Sequence, residues 1–280
     1  MNDAFETTFS EMDAAEAFDL QAAVFDDLFS NDVIIQYKRT RVREHVRPFL
    51  QPRSRILELN AGTGEDALYF ASLGHSVHAT DISERMQAEL RTKIASAGKS
   101  HLITRERCSF NHLDQLIQRG PYDHIFSNFG GLNCTGDLKK VLQACHSLLK
   151  PGGMVHVVLM PPFCLWESLL LLKGDFKTAT RRWRISGNGV PAKVEGKPFR
   201  CWYYRAAAIR SAVKGKLEVV KTEGLCTLVP PSYMNGFDRK HPVLFRRLCK
   251  LENIVKATWP WKVIGDYYIM SLRKLTVVKP

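Results

Sequence analysis

The stretch that most constrains this chain is Ile56-Leu57-Glu58-Leu59-Asn60-Ala61-Gly62-Thr63-Gly64-Glu65-Asp66. An apolar run ends in a glycine-bearing turn and passes into acidic residues suited to a helix start. That pattern predicts a strand, a turn and a helix in this order. Such a turn brings backbone N–H groups and a helix N-terminus close to a bound ligand. Gly62 and Gly64 remove side chains that would block the approach. A dinucleotide-binding turn carries a third glycine, but position 67 is Ala, which disfavours a pyrophosphate. Asp81, in His78-Ala79-Thr80-Asp81-Ile82-Ser83, follows about 20 residues later at the end of the next apolar run, where a carboxylate accepts hydrogen bonds from ribose hydroxyls. The two segments together predict a nucleoside site.

Beyond the turn, short apolar runs alternate with helical patterns. Strands are predicted at Arg55–Leu59, Ser76–Ala79, Cys108–His112, Tyr122–Ser127 and Val155–Met160, with helices at Asp66–Leu73, Glu84–Ala97 and Gly136–Leu149. Apolar strands alternating with helices imply a parallel sheet covered on both faces. Upstream, Phe18, Val24, Phe25, Leu28 and Phe29 recur at roughly helical spacing, and a second helix is predicted from Ile35 to Leu50, before Pro52. The rhythm breaks after Pro161. Residues 162–200 carry an apolar helix, Leu165–Leu172, followed by Lys173, Lys177, Arg181, Arg182 and Arg184. A helix at Tyr204–Val213 and a strand at Leu217–Thr222 resume the alternation. A second insertion, 226–264, holds Pro230-Pro231 and a helix over Val243–Lys256, and a strand at Tyr267–Arg273 closes the chain.

Charge is unevenly spread over the 280 residues. Residues 1–32 hold nine Asp/Glu and no Lys or Arg, so residues 33–280 hold 40 basic against 19 acidic residues, a net of +21. Such a body suits acidic substrates, nucleic acid or an anionic membrane surface; it equally suits a soluble basic enzyme whose acidic arm folds back onto it. The seven cysteines form no CxxC pair, which points to free thiols in a reducing cytosol and to no metal site. No apolar run reaches the ~18 residues of a membrane-spanning helix, and the acidic N-terminus lacks a secretory pattern, so a cytoplasmic location is expected.

Read with Pro121-Tyr122-Asp123-His124-Ile125 and Leu148-Leu149-Lys150-Pro151-Gly152-Gly153, the E-L-N-A-G-T-G turn and the A-T-D-I-S segment resemble the class I S-adenosylmethionine-dependent methyltransferases over Ile56–Met160. The resemblance implies an α/β, Rossmann-like fold: a seven-stranded, mostly parallel sheet with an antiparallel last strand. It implies S-adenosylmethionine as cofactor, with Glu58 and the backbone of Asn60, Ala61, Gly62, Thr63 and Gly64 facing the methionine portion. Asp81 would hold the ribose, Ile82 would pack on adenine, and Leu113, in His112-Leu113-Asp114, would line the far edge of adenine. Position 60 is usually Gly in this family; Asn tolerates φ > 0, and its amide is either a cofactor contact or a tolerated variant. The segment Ser127-Asn128-Phe129-Gly130-Gly131-Leu132-Asn133-Cys134 is similar to that of some small-molecule methyltransferases and lacks the (D/N)PPY of amine-modifying DNA methyltransferases. Asn128 and Phe129 are expected at the methionine end of the cofactor, a purely structural turn being the competing reading.

The resulting expectation is a helical N-terminal lid over 1–50, a cofactor-binding core over 51–161, and residues 162–280 supplying pocket walls plus the last helix and strands of the same sheet. Phe18, Phe25 and Tyr37 are candidates to face a sulfonium, or simply pack. The activity implied is methyl transfer to a small, apolar or aromatic acceptor, the aromatics of the two insertions pointing that way. RNA or protein acceptors, through the basic surface, and lipid-like acceptors at a membrane surface, through residues 165–184, are the alternatives. A non-catalytic module is disfavoured by the retention of Glu58, Gly62, Gly64 and Asp81. His112, Tyr233 and His241 are conceivable bases, and none is assigned; the oligomeric state stays open.

Overall fold

The computed structural model describes residues 2–30, 32–184, 187–234 and 236–276; within the first helix the described side chains are 11–27, so those of Leu28 and Phe29 lie outside the described residues. Two helices precede the sheet, α1 (Asn2–Ser30) and α2 (Val33–Val46). Asp32 starts α2 by accepting the Ile35 N–H at 2.9 Å, which satisfies one of the orphan donors of a helix N-terminus. The alternating unit follows: β1 (Arg55–Leu59), α3 (Glu65–Ser72), β2 (Ser76–Asp81), α4 (Glu84–Ser96), β3 (Ile103–Arg107), β4 (Tyr122–Ser127), α5 (Leu138–Leu148) and β5 (Leu149–Leu159). Residues 162–200 form two short helices, α6 (Leu165–Ser168) and α7 (Phe176–Thr180), and a hairpin of β6 (Val190–Val194) and β7 (Lys197–Cys201). The chain ends with α8 (Ala206–Ala212), β8 (Leu217–Leu225), α9 (Phe237–Lys240), α10 (Pro242–Val255) and β9 (Tyr267–Lys274).

Seven strands make one sheet in the order β3-β2-β1-β4-β5-β9-β8. The first five are parallel, and β9 runs antiparallel to both of its neighbours, as the sequence implied. The two-residue period of the strands sorts the core into two layers. Leu57, Leu59, Ile125, Val155 and Val157 pack with Val141, Leu142 and Cys145 of α5 on one face. Ile56, Phe126 and Val158 pack with Ala67 and Phe70 of α3 and with Leu90 and Ile94 of α4 on the other. Each such fully buried side chain contributes about 1.5–3 kcal/mol.

The strand expected at Cys108–His112 is not there. β3 lies one step earlier, at the sheet edge, and of its five residues only Ile103 is buried. Cys108, Phe110 and Leu113 are apolar because the 3₁₀ segment Phe110–Gln115 turns them into the core. The hairpin was not expected either. Glu195 and Gly196, at φ of 46° and 78°, form its two-residue turn, the geometry that matches strand twist.

The acidic first helix folds onto this hairpin. Phe18 meets Phe199 with ring centroids 6.3 Å apart, Gln21 donates to Glu195 and Lys197 pairs with Glu16. Among the described residues, no helix is long and apolar enough to cross a membrane.

Candidate active site

A cavity of about 860 Å³, partly open to solvent, lies where β1, β2 and β4 end, beneath α1. The carboxyl edge of a parallel sheet is where open α/β folds gather loops around a ligand. Of the residues expected from sequence, Glu58, Asn60, Ala61, Gly62, Thr63, Asp81, Ile82, Asn128 and Phe129 line it. Gly64 and Leu113 do not. Leu113 is 2% exposed and belongs to the core, and Phe110 lines the cavity in its place.

The two turn glycines serve different ends. Both have positive φ, 55° at Gly62 and 85° at Gly64. A Cβ on Gly62 would meet nothing within 4 Å, so that backbone lies open to the cavity. A Cβ on Gly64 would come within 2.1 Å of Leu90 Cδ1, so its bareness lets α3 pack on α4. The Gly62 N–H donates to Asp81 Oδ2 at 2.9 Å and the Ser83 N–H to Asp81 Oδ1 at 2.9 Å, which fixes the carboxylate at the end of β2.

Asn60 has φ of 46°, within reach of an Asn. Its amide is engaged by the neighbouring turn, donating to Asn128 O at 3.0 Å and accepting from Ser127 Oγ at 2.6 Å. Asn128 donates to Asp66 Oδ2 at 2.7 Å and accepts the Phe129 N–H at 2.7 Å. Phe129, at φ of 48°, turns its ring under the Arg39 guanidinium at 5.0 Å, a cation–π spacing. Asp66 is held further by Arg39 at 3.2 Å and Arg43 at 2.8 Å.

Three carboxylates of α1, spaced eight and seven residues apart and so on one helix face, reach three loop ends. Glu11 accepts from Ser109 Oγ at 2.6 Å and Asn111 Nδ2 at 2.5 Å, beyond β3. Asp19 accepts from Ser83 Oγ and from the Arg85 N–H at 3.2 Å, beyond β2. Asp26 accepts from Thr63 Oγ1 at 2.8 Å, in the turn after β1, and pairs with Lys93 at 2.5 Å. Phe18 and Phe25, candidates from sequence, line the cavity, whereas the carboxylate contacts and the cavity-lining Glu11, Met86 and Phe110 were missed by sequence reasoning; a two-turn repeat of acids along α1 was the available signal. Tyr37 points elsewhere, donating to Glu252 at 3.1 Å and packing on Phe245. None of His112, Tyr233 and His241 lines the cavity.

The electrostatics of the cleft are unusual for a settled core. Burial, then the neighbouring Asp66, pushes the Glu58 carboxyl well above the ordinary range. Burial, with Glu11 and Asp19 nearby, pushes Asp81 up to about 6 against its two backbone donors. Burial raises Glu11 as well. Glu58 Oε2 and Glu11 Oε1 are buried and lack a hydrogen-bond partner, as does Arg39 Nε. Unpaired buried polar atoms are costly, and here they face a cavity, so the site suits a ligand that brings hydrogen-bond donors. An ammonium, ribose hydroxyls and an exocyclic amine are such donors, and the open Gly62 backbone leaves them room.

A second acidic cluster is of another kind. Ligand atoms of Cys164, Glu167 and Asp266 lie within 4.8 Å of one another. Protein cations already occupy the two carboxylates: Arg181 and Arg182 hold Glu167 at 2.6 and 2.7 Å, and Lys38 and Arg182 hold Asp266 at 2.7 and 2.8 Å.

Residues 56–153 match the family model described as a methyltransferase domain. The chain is 31% identical over 125 residues to the glycine/sarcosine/dimethylglycine N-methyltransferase of Actinopolyspora halophila, covering 44% of this chain and 22% of that protein. It is 26% identical over 110 residues to a tuberculostearic acid methyltransferase of Mycobacterium tuberculosis, covering 39% of this chain and 24% of that protein. The chain thus spans less than a quarter of the length of these two curated relatives. Among solved structures, the cyclase SpnF matches with a TM-score of 0.62 at 15% identity, over 95% of this chain and 96% of that one, a likeness that speaks for the fold alone. Residues 56–153, which hold the turn and the strand-end aspartate, thus match a methyltransferase domain, and the sheet order around them is the one the resemblance to the class I S-adenosylmethionine-dependent methyltransferases implies.

Proposed function

We propose that the protein methylates a small acceptor of apolar or aromatic character. The observation that carries the methyl-donor side of this reading is the pair of unpartnered buried carboxylate oxygens, on Glu58 and Glu11, flanking an open glycine backbone in one cavity, and the acceptor side rests on the aromatic residues beside Phe129. When bound, S-adenosylmethionine supplies an activated methyl group on a sulfonium. Glu58 would accept from the ammonium and Asp81 from the ribose hydroxyls, while Ile82, Met86 and Phe110 offer apolar surface to the adenine. Residues 1–50 act as the lid of this cleft: α1 and α2 bring Phe18, Phe25 and Arg39 to it, and α1 excludes water from it. Tyr267, at the start of β9, meets Phe129 edge-on at 6.4 Å, an aromatic corner suited to an apolar acceptor. A base is needed only if the acceptor atom arrives protonated.

Calorimetric titration with S-adenosylhomocysteine tests the cleft. The expected result is a saturable heat, and none at high micromolar ligand would overturn the reading. Labelled methyl transfer to fractionated small-molecule extracts, run beside total RNA, tests the acceptor class. Label confined to RNA would replace the small-molecule reading.

A further inference from the structure

Helix α10 carries apolar side chains on its outer face as well as on the face it packs. Of its 14 residues, the one fully buried side chain is the carboxylate of Glu252. That carboxylate accepts the N–H groups of Cys226, Thr227, Leu228 and Val229 at 2.8–2.9 Å, and the Tyr37 hydroxyl at 3.1 Å. The inward face thus holds a satisfied carboxylate among Phe245, Leu248 and Cys249, which pack on Ile34, Cys226 and Val229. The outward face carries Val243, Leu244, Leu251 and Ile254, exposed by 52%, 47%, 50% and 73%, and Trp259 just beyond the helix is 79% exposed. A surface helix of a globular protein normally keeps a polar outer face opposite its packed apolar stripe, and α10 does not.

The same face is basic. Residues 239–262 contain seven Lys/Arg and one acid, the buried Glu252, and Arg246, Arg247 and Lys250 are exposed among the apolar side chains. The 165–184 segment touches α9, the short helix that leads into α10. Trp166 packs edge-on against Phe237 of α9, with centroids 6.1 Å apart, and donates to Leu228 O. That segment exposes Leu172 by 85% and Phe176 by 67%, beside exposed Lys173 and Lys177.

We propose that the outer face of α10 rests on an anionic lipid surface. Apolar side chains interleaved with Lys and Arg are what binding in the plane of a headgroup layer requires, and an exposed Trp at the edge suits the interface itself. A two-fold dimer through this patch is disfavoured, because the patch would meet itself and bring like charges together. The proposal is independent of the cleft chemistry.

The full chain is tested by co-sedimentation with vesicles of equal parts phosphatidylglycerol and phosphatidylcholine, and with phosphatidylcholine alone. Pelleting on the anionic vesicles, weakened by salt and weak on the neutral ones, is expected. Leu251→Asp with Ile254→Asp should lower the bound-to-free ratio about tenfold or more, and Arg247→Glu with Lys250→Glu should lower it too. All four positions are exposed, so unchanged melting curves are expected and report that the fold is kept. No pelleting on anionic vesicles, or pelleting the variants leave intact, overturns the proposal. So does self-association without lipid that the Leu251→Asp/Ile254→Asp variant abolishes, since a second copy of this chain would then be the occupant.

Discussion

Two of the regions where the molecule buries carboxylates treat them in opposite ways. At the staple between α2, β9 and the first insertion, Asp266 is met by Lys38 and Arg182; burial alone would raise its pKa, but the two cations hold it below the usual range. Glu223, joined to His45 at 2.8 Å, ends at about 2 although burial opposes it. In the cleft, Glu58, Asp81 and Glu11 are pushed upward instead, and two of the three leave an oxygen without a partner. Satisfied buried charge joins elements; unsatisfied buried charge waits for a ligand. The distinction is one of partners, not of residue type.

The contrast is most exposed to failure at Asp266. Asp266→Asn leaves Lys38 buried without its counter-charge and Arg182 with Glu167 alone, and should cost about 3–5 kcal/mol of stability in urea unfolding. A loss below about 1 kcal/mol, the scale of a surface pair, would erase the contrast. Glu58→Gln should do the reverse. Binding of S-adenosylhomocysteine should fall about 10- to 100-fold, the scale of a hydrogen bond to a charged group, while the melting temperature holds or rises because an unpaired buried acid is removed.

The pH profile is the next smaller effect. Asp81 ionises near 6 in the folded protein, above its unfolded value, so the empty protein loses stability as pH rises from the ordinary Asp range through 6. A ligand that donates to the ionised carboxylate must then bind more tightly as pH rises through 6, by up to about tenfold between pH 5 and 7. Asp81→Asn should flatten that profile, and an unchanged slope would assign the titration elsewhere. Glu11→Gln should weaken binding least, about fivefold, the net worth of one hydrogen bond, with the melting curve nearly unchanged. Its unpartnered Oε1 is the acceptor we assign to the adenine amine, and an equal loss for ligands with and without that amine would overturn the assignment.

Much of the fold was legible because β1, β2, β4 and β5 are buried on both faces and read as apolar runs, and because the Glu58–Gly64 turn can serve few other purposes. β3 escaped because an edge strand ending in Thr-Arg-Glu-Arg shows one buried residue and no period. The β6–β7 hairpin escaped because Pro191, Lys193, Lys197 and Pro198 disguise it as a loop, while its signal, Glu195-Gly196, is a two-residue turn with an unusual first member. At the site, residues of the sheet edge could be named from local motifs. Glu11 could not, since its partners Ser109 and Asn111 lie 98 and 100 residues away. The buried Lys38, Arg39 and Arg41 of α2 hid for a related reason: polar residues at inward positions erase the apolar stripe by which a helix is oriented.

Asn60 carries a consequence for how such a chain can change over generations. Its side chain fills the space above Gly131, where a Cβ would sit 2.3 Å from Asn60 Cγ. Positions 60 and 131 are therefore not inherited as independent choices. A chain that keeps Asn60 must keep Gly131 bare, and a chain that reverts to glycine at 60 opens the room for a side chain at 131, on the rim of the cleft. Selection on the acceptor could thus reach the β4 turn only by a route that passes first through the β1 turn, in that order.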